Sequence, residues 1–493
     1  MRKIRISLVF TVIVALVLVG AVFAQGSPPG SGWWSGEQIQ NVGSGTASVQ
    51  VTAYSSTGTT YTASSNVAQG GSATFLPADF AGMPNGFQGS AVVTATTDIR
   101  GIVNVTNRLA GSYGVSGGLA AGQYQGMSAG ATTLNFPLAK NNYYDKTTTF
   151  YIQNTGVASA TASAVFKMGG GTYNYTSPSM LPGTMVAFGP ADAGAPSGNS
   201  AVGSLSVTSA QPIAGVVLEH KNFENPAKQL QATRGFTGAD ADTTLYAPII
   251  KNNFFNRFTG LQVQNVSGSP VNITVTYKGA SPACPGTYTD TTTGLAAGAS
   301  HTFVHLGSST NLPTNCLAGA QVVATGNVVA IVNESYTAAA VSAGKTQEAT
   351  TYSAFANSAA TTLVQLPLAK EDSYNKGTGV QVQNVSSSST ASVVVTYRGP
   401  SGTYKSQAQS LAPGASMTLV DVRLKGASFW NGTAMTPAAL SCTSSGCGSN
   451  GVFGVTIESN LPVVAIANES TYPFSAPRIS QDKNNYEGFN LTP

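Results

Sequence analysis

Thr259-Gly-Leu-Gln-Val-Gln-Asn-Val266, followed by Val271-Asn-Ile-Thr-Val-Thr-Tyr-Lys-Gly279, is the stretch that decides the fold. Apolar side chains occupy every second position from Val271 to Tyr277, and polar ones lie between them. This alternation is typical of a β-strand with one face buried and the other in water. Asn265 favours a turn after the first segment, because asparagine tolerates turn geometry and bonds its own backbone. The stretch therefore predicts two strands joined by a turn.

The Gln-Asn pair of this stretch recurs along the chain. Its asparagines are Asn41, Asn154, Asn265 and Asn384, which lie 113, 111 and 119 residues apart. A period of that length corresponds to one small domain. The 493 residues are thus predicted to hold four tandem copies of one β unit.

Three of the four copies begin with a strand that contains a proline. These strands are Thr132–Lys140, Thr243–Lys251 and Thr361–Lys370, and each has its proline three residues before the final lysine. Proline has no N–H to donate to a sheet, so we expect these strands to lie at a sheet edge or to break there.

Each copy holds about seven short strand segments in about 110 residues. The last two segments, for example 203–208 and 213–217, are predicted to be separate strands. Turn signals between the segments, without an amphipathic helix, are typical of an immunoglobulin-like sandwich. We therefore predict an all-β chain of four tandem immunoglobulin-like β-sandwich domains, arranged as an elongated rod. The predicted boundaries are 1–24 for a signal peptide, 25–36 for a Gly/Pro/Ser leader, and 37–129, 130–240, 241–359 and 360–493 for the repeats.

The motifs of the repeat also resemble those of a known group of proteins. Pro-Leu-Ala-Lys, Gln-Val-Gln-Asn-Val, Leu-Ala-Pro-Gly-Ala-Ser and Pro-Val-Val-Ala-Ile follow one another in a fixed order. This order resembles the repeat of uncharacterised bacterial secreted proteins with tandem immunoglobulin-like domains, and it covers nearly all of the chain after the signal peptide. The resemblance implies the fold and export, and it supplies no catalytic or ligand-binding residues. The first repeat departs from it, because a leader stands where the proline-containing strand is expected.

The composition suits an extracellular β protein better than a cytosolic enzyme. Charged residues make up 9% of the chain, against roughly 25% in ordinary soluble domains. The 42% of hydrophobic residues can fill cores, which argues against disorder. The net charge of +4, without a basic cluster after the first five residues, gives no case for nucleic-acid binding.

The N-terminus has the pattern of a signal peptide. A basic start, Met1-Arg-Lys-Ile-Arg5, precedes the apolar run Ile6–Phe23, and small residues favour cleavage after Ala24. The alternative is an uncleaved membrane anchor, because the run approaches spanning length. Gln25 follows the predicted cleavage site where a lipoprotein would have cysteine. After cleavage, no other segment is apolar enough to span a membrane.

Four cysteines fit an exported protein. Cys284 and Cys316 lie in the third repeat, and Cys442 and Cys447 lie in the fourth. Pairing within each repeat is the simplest of the three connectivities. A metal site is the alternative, although no histidine or cysteine flanks either pair at ligand spacing.

Charged residues recur at matched positions in the last three repeats. Glu219, Glu334 and Glu469 end the last long apolar strands, where the first repeat has Val105, and the matching lysines are Lys140, Lys251 and Lys370. We interpret them as ion pairs that hold contacts between domains. Calcium binding is the alternative, but calcium needs several clustered oxygens and no acidic cluster accompanies the glutamates.

Other candidate sites are weaker. His301 and His305 would share a strand face, but a third metal ligand is not evident, and the third histidine is His220. Gly114-Val-Ser-Gly-Gly118 matches a nucleophile-elbow pattern, which needs a strand before it and a helix after it. It lies instead in a Gly/Ser-rich loop without a histidine in its repeat. Trp430 in a loop insertion is a candidate ligand-binding aromatic residue.

The first repeat, without its first strand, would have an open sheet edge. Open edges recruit strands from other chains, and Lys483–Tyr486 resembles Lys140–Tyr143 as a candidate donor. A second alignment competes, because Tyr486–Phe489 matches Tyr352–Phe355 at the spacing of an ordinary domain end.

These observations favour a non-enzymatic secreted protein of the cell surface or extracellular matrix, which acts as a spacer, adhesin or fibre subunit. A carbohydrate-binding module array is the first alternative, and a filament assembled by β-strand donation is the second. A secreted hydrolase would need a reactive cluster that the sequence does not offer. The expected partners are other copies of the chain or an extracellular polymer or protein surface, and no cofactor is predicted.

Overall fold

The computed structural model describes residues 32–107, 120–221, 229–342, 349–373, 376–419, 435–436, 447–471 and 484–491. These residues form antiparallel sheets joined by turns, one short α-helix and 3-10 turns. The predicted all-β, sandwich-type fold is confirmed. The short helical segments are α1 (Ala338–Ser342) and 3-10 helices at Pro77–Asp79, Pro190–Ala193, Gly238–Asp240, Gly307–Ser309, Asn357–Ala359 and Gly448–Gly451.

The first repeat is a sandwich of a four-stranded and a three-stranded sheet. The sheet orders are β4-β1-β6-β7 and β3-β2-β5. Apolar side chains such as Ile39, Val51 and Val93 fill the space between them. The strands are β1 (Trp33–Asn41), β2 (Ala47–Ser55), β3 (Thr60–Val67), β4 (Ser72–Phe75), β5 (Gly89–Ala95), β6 (Ile99–Asn107) and β7 (Ala121–Gln125).

The second repeat adds a first strand and joins its two last predicted strands into one. Residues 203–209 of β13 pair with β10, and residues 213–221 of the same strand pair with β9. The prediction of two separate strands is therefore wrong here, because one continuous strand contributes to both sheets. The strands are β8 (Ala131–Lys140), β9 (Lys146–Asn154), β10 (Ala162–Met168), β11 (Gly171–Thr176), β12 (Met185–Phe188), β13 (Val202–Lys221) and β14 (Leu230–Arg234).

The third and fourth repeats follow the plan of the second. The third contains β15 (Asp242–Asn252), β16 (Arg257–Asn265), β17 (Val271–Gly279), β18 (Thr287–Leu295), β19 (Ser300–His305), β20 (Cys316–Tyr336), β21 (Ala349–Ser353) and β22 (Phe355–Ala356). The fourth contains β23 (Thr361–Lys370), β24 (Lys376–Asn384), β25 (Ala391–Gly399), β26 (Gly402–Ser406), β27 (Gln409–Leu411), β28 (Ser416–Leu419), β29 (Met435–Thr436), β30 (Val452–Thr471), β31 (Asn484–Glu487) and β32 (Phe489–Leu491).

The proline-containing strands β8, β15 and β23 pair with the long strands β13, β20 and β30. In each pair the register shifts at the proline, for example between Ala247 and Ile250 around Pro248. The expected break at the proline is thus present in all three repeats.

The chain ends as an ordinary domain. β31 pairs with β30, and β32 pairs with β23, so both belong to the sheets of the fourth repeat itself. Residues 484–491 thus pair as the Tyr486–Phe489 alignment predicts, and not as the alternative of a strand donor to the first repeat would require.

The four repeats close into a ring, and the predicted rod is wrong. β7 contacts both β14 and β31, and β21 contacts the same two strands, so the last strands of the four repeats meet in a cycle. Gln125 in the first repeat donates from Nε2 to the Glu487 carbonyl in the fourth, at 2.6 Å. The cause is an apolar outer face: Ile102 packs into the core of the fourth repeat, and Ile331 packs against Leu138 and Phe236 of the second.

The glutamine of each Gln-Asn pair lies at a junction between repeats. Gln153, Gln264 and Gln383 donate from Nε2 to the carbonyls of Ala91, Leu205 and Ala320, each in the preceding repeat, at 3.1 to 3.4 Å. Gln40 of the first repeat contacts the long strand of the fourth repeat in the same way. Its Nε2 lies 3.1 Å from the position that a Cβ atom on Gly454 would take. The fourth junction thus repeats the other three.

The asparagine of the pair fastens the turn after its own strand. Asn265 donates from Nδ2 to the carbonyls of Ser269 and Leu295, both at 2.8 Å, and its Oδ1 accepts from the Ser267 N–H at 2.9 Å. Asn41, Asn154 and Asn384 make the matching contacts.

Replacing Asn265 with alanine should lower the free energy of unfolding by about 3 kcal/mol, because buried carbonyls lose their donor. Urea unfolding measures the change. Asn174→Ala, at an exposed position of β11, is the matched control and should change stability by less than about 0.5 kcal/mol. Equal effects of the two substitutions would contradict the role given to Asn265.

Ring closure predicts a compact particle in solution. Small-angle X-ray scattering of the monomeric mature chain should give a radius of gyration near the roughly 23 Å expected for a compact chain of this length. A rod-like scattering profile with a radius of gyration about twice as large would contradict the ring.

Candidate functional site

The matched lysines and glutamates form buried ion pairs within repeats. Lys140 Nζ lies 2.9 Å from Glu219 Oε2, and the Lys251–Glu334 and Lys370–Glu469 pairs are each 2.7 Å. Each pair joins the end of a first strand to the long strand of the same repeat. The predicted contact between domains is therefore corrected to a contact inside each sandwich.

A second cation completes two of these sites. Lys146 Nζ lies 2.9 Å from Glu219 Oε1, and Arg257 Nη1 lies 3.1 Å from Glu334 Oε1. Burial alone would raise the pKa of Glu219, but Lys140 and Lys146 outweigh it and lower that pKa to about 2. The carboxylate is therefore ionised and paired with both lysines, which suits a structural role.

Substituting Glu334 with glutamine should destabilise the protein by about 3 kcal/mol, because Lys251 and Arg257 would keep buried charges without a counter-charge. Thermal or urea unfolding measures this change. Glu458→Gln, on an exposed position of β30, is the control. The assignment fails if both variants unfold at the midpoint of the unmodified protein.

The two histidines of β19 serve the core of the third repeat. His305 is buried, with Nδ1 3.0 Å from Thr259 Oγ1 and Nε2 2.9 Å from the Tyr277 hydroxyl. Burial lowers the pKa of His305 to about 4, so it is neutral. His301 packs edge-on against Phe303 with ring centres 4.7 Å apart. Within the part of the chain that the structure describes, no group of three or more His, Cys, Asp or Glu residues could hold a metal ion.

The cysteines are used for cross-linking. Cys284 and Cys316 form a disulfide that ties the β17–β18 connection to the start of β20, with Cα atoms 5.5 Å apart. Cys447 is also disulfide-bonded. Cys442, Trp430 and the 114–118 segment lie outside the described residues.

A polar cavity lies where the four last strands meet. It measures about 300 Å³ and takes lining residues from all four repeats. Gln125, Arg234, Ser353 and Glu487 occupy matched positions around it. We call this the axial cavity; its wall also includes Arg100, Asp240, Phe355, Phe489 and Asn490.

Charges at the axial cavity are largely compensated. Arg234 binds Asp240 through two hydrogen bonds of 2.6 and 3.0 Å, and a Glu487 carboxylate oxygen accepts from the Ser353 N–H. The buried Ser353 hydroxyl has no hydrogen-bond partner. The cavity therefore offers hydrogen-bonding groups beside aromatic rings to a small polar ligand. Sequence reasoning missed it, because its residues come from segments more than 100 positions apart.

A second cavity lies between the sheets of the first repeat. It measures about 520 Å³, and its lining includes Trp33, Glu37, Phe80, Met83 and Phe87. Burial raises the pKa of Glu37 to about 7. Its Oε2 atom is buried without a hydrogen-bond partner.

Comparisons with known proteins give only distant likenesses. No protein-family model matches the chain, and no curated protein matches it. The crystal structure of Thermotoga maritima 1070 is 18% identical over 22% of this chain and 94% of its own, with a TM-score of 0.19. A tetra-tandem repeat in the extending region of a large adhesion protein is 12% identical over 92% and 93% of the two chains, with a TM-score of 0.10.

A third solved structure is also an adhesion protein. The serine-rich repeat adhesion glycoprotein of Streptococcus agalactiae is 7% identical over 52% of this chain and 89% of its own, with a TM-score of 0.10. Likenesses at this level carry no argument about arrangement or function. Among the described residues, no helix has the length and apolar character to cross a membrane.

Proposed function

We propose that this chain is a non-enzymatic exported protein of the cell surface or extracellular matrix, which acts as an adhesin or assembly subunit. The observation that carries the proposal is ring closure: four sandwiches form one body that has a shared cavity at its centre. The ring favours these roles over that of a spacer, because a spacer gains its length from domains placed end to end.

The junctions support a stiff platform. Apolar clusters cross from one repeat to the next, as where Val464 and Ile466 of the fourth repeat join the core of the third. Ser204 Oγ donates to the Gly298 carbonyl at 2.6 Å across the second junction. A disulfide and a low content of charged residues are compatible with an extracellular protein.

Carbohydrate recognition is the second candidate, and the axial cavity favours it. Gln125, Ser353 and Asn490 offer hydrogen-bonding groups, and Phe355 and Phe489 lie beside them. Hydrogen-bonding groups next to aromatic rings are the combination that polar ring-shaped ligands need. Trp430 keeps its sequence-based candidacy for the same role.

Beads coated with the purified mature chain should adhere to cell-surface polymers or matrix proteins of the source organism, without degrading them. Binding to insoluble polysaccharide that Ser353→Leu reduces tenfold or more would favour the axial cavity as the carbohydrate site. Ser163→Leu, at an exposed position of β10, is the matched control. Turnover of a polymer by the pure chain would overturn the proposal.

A further inference from the structure

The first repeat has an unpaired sheet edge. In the second to fourth repeats, the N-terminal half of the long strand lies between two partners, for example β10 on one side and β8 on the other. In the first repeat the matching strand is β5, and among the described residues its backbone pairs only with β2. The free edge of β5 is thus the place where three other repeats hold their first strand.

The cavity of the first repeat lies beneath this edge. In the second repeat, Phe136 of the first strand enters the matching space and meets Phe150 of β9, with ring centres 5.1 Å apart. In the first repeat about 520 Å³ remain between the sheets, between Trp33, Phe80 and Phe87. The empty space therefore has the place and lining of a missing strand's side chains.

Glu37 gives the missing strand a chemical requirement. Glu37 lies three residues before the glutamine of its Gln-Asn pair, and Phe150, Leu261 and Val380 lie three residues before the matching glutamines. It thus faces the point where Phe136 would enter. Its side chain is buried, with Oε2 unpartnered. A basic side chain at the Phe136 position would supply both the counter-charge and the donor.

A hydroxyl for the incoming backbone is also in place. Thr148, Thr259 and Thr378 each accept a 3.0 Å hydrogen bond from the backbone N–H of the final lysine of the first strand. Ser35 of β1 holds the matching position in the first repeat.

The segments of the chain that share the register of a first strand have no basic residue at the Phe136 position. In the other repeats, the next strand begins six residues after the final lysine of the first strand. The same spacing before β1 would place a first strand at residues 18–27, with Phe23 opposite Glu37. Predicted cleavage after Ala24 removes Phe23. The three existing first strands place Phe136, Ala247 and Leu366 there, and each already pairs in its own repeat.

We propose that the first repeat accepts an extended segment of a different polypeptide, which pairs along β5 and sets a lysine or arginine against Glu37. Apolar side chains at alternate positions of that segment fill the cavity. Strand addition of this kind draws affinity from main-chain hydrogen bonds and specificity from the pockets for alternate side chains. The site is distinct from the axial cavity, so its test can fail without affecting the proposed function.

The test uses two ten-residue peptides and the exported chain, whose N-terminus is first established by mass spectrometry. One peptide has the sequence of residues 131–140, and the other carries Phe136→Lys. Calorimetry gives the affinity, and hydrogen exchange of residues 89–95 reports strand pairing. The lysine peptide should bind about 30-fold more tightly or better, because it pairs a buried charge, and it should slow exchange along β5.

Glu37→Leu, which copies the residue at position 261 of the third repeat, should reverse the preference in favour of the phenylalanine peptide. Glu37→Gln should weaken binding of the lysine peptide. The exchange readout uses the β5 amides that do not bond to β2. Three results would overturn the inference: equal affinity for the two peptides, no binding while these amides exchange freely, or protection of these amides in the exported chain before peptide is added. The last result would mean that the chain itself fills the edge.

Discussion

The outer face of the last strands is the constraint on which the architecture depends. Each sandwich carries a buried apolar residue on that face, away from its own core, at positions 102, 216, 331 and 466. Leaving such side chains in water would cost about 1.5 to 3 kcal/mol each. A rod would leave part of this face uncovered, whereas a ring of four lets every repeat cover its neighbour. The junction glutamines then add hydrogen bonds to backbone carbonyls that the same closure brings near.

Much of the fold could be predicted from the sequence, because its signals are local. The alternation from Val271 to Tyr277 and the prolines each act within one strand or turn. That alternation does not predict the closure, because it is the pattern of a strand with one face in water. Val328-Val-Ala-Ile-Val332 is apolar at every position, which is the pattern of a strand buried on both faces. This run and its counterparts in the other repeats indicate a strand that is covered on both faces, as closure into a ring requires.

The ion pairs show where a repeated sequence stops being informative. Matched lysines and glutamates recur at corresponding positions in three repeats, so the sequence indicates that they belong together. These positions are compatible with pairs inside a repeat and with pairs between adjacent repeats. Only the path of the chain decides: the backbone of Lys140 lies beside Val202 at the start of β13, and its Nζ reaches Glu219 near the other end of the same strand. For Glu37 the sequence does carry a signal, because an acid stands where the other repeats have Phe150, Leu261 and Val380.

The differences of the first repeat are mutually consistent, because none of its described residues forms a first strand. Without that strand the repeat has no buried lysine, and a glutamate like those of the other repeats would keep an uncompensated buried charge that costs several kcal/mol. Val105 stands in place of that glutamate. A carboxyl appears instead at Glu37, inside the space that the strand would fill. Trp33, Phe80 and Phe87 line the same space beside this carboxyl. A repeat whose described residues combine a cavity, a free sheet edge and one buried acid has the features of a binding site for a strand.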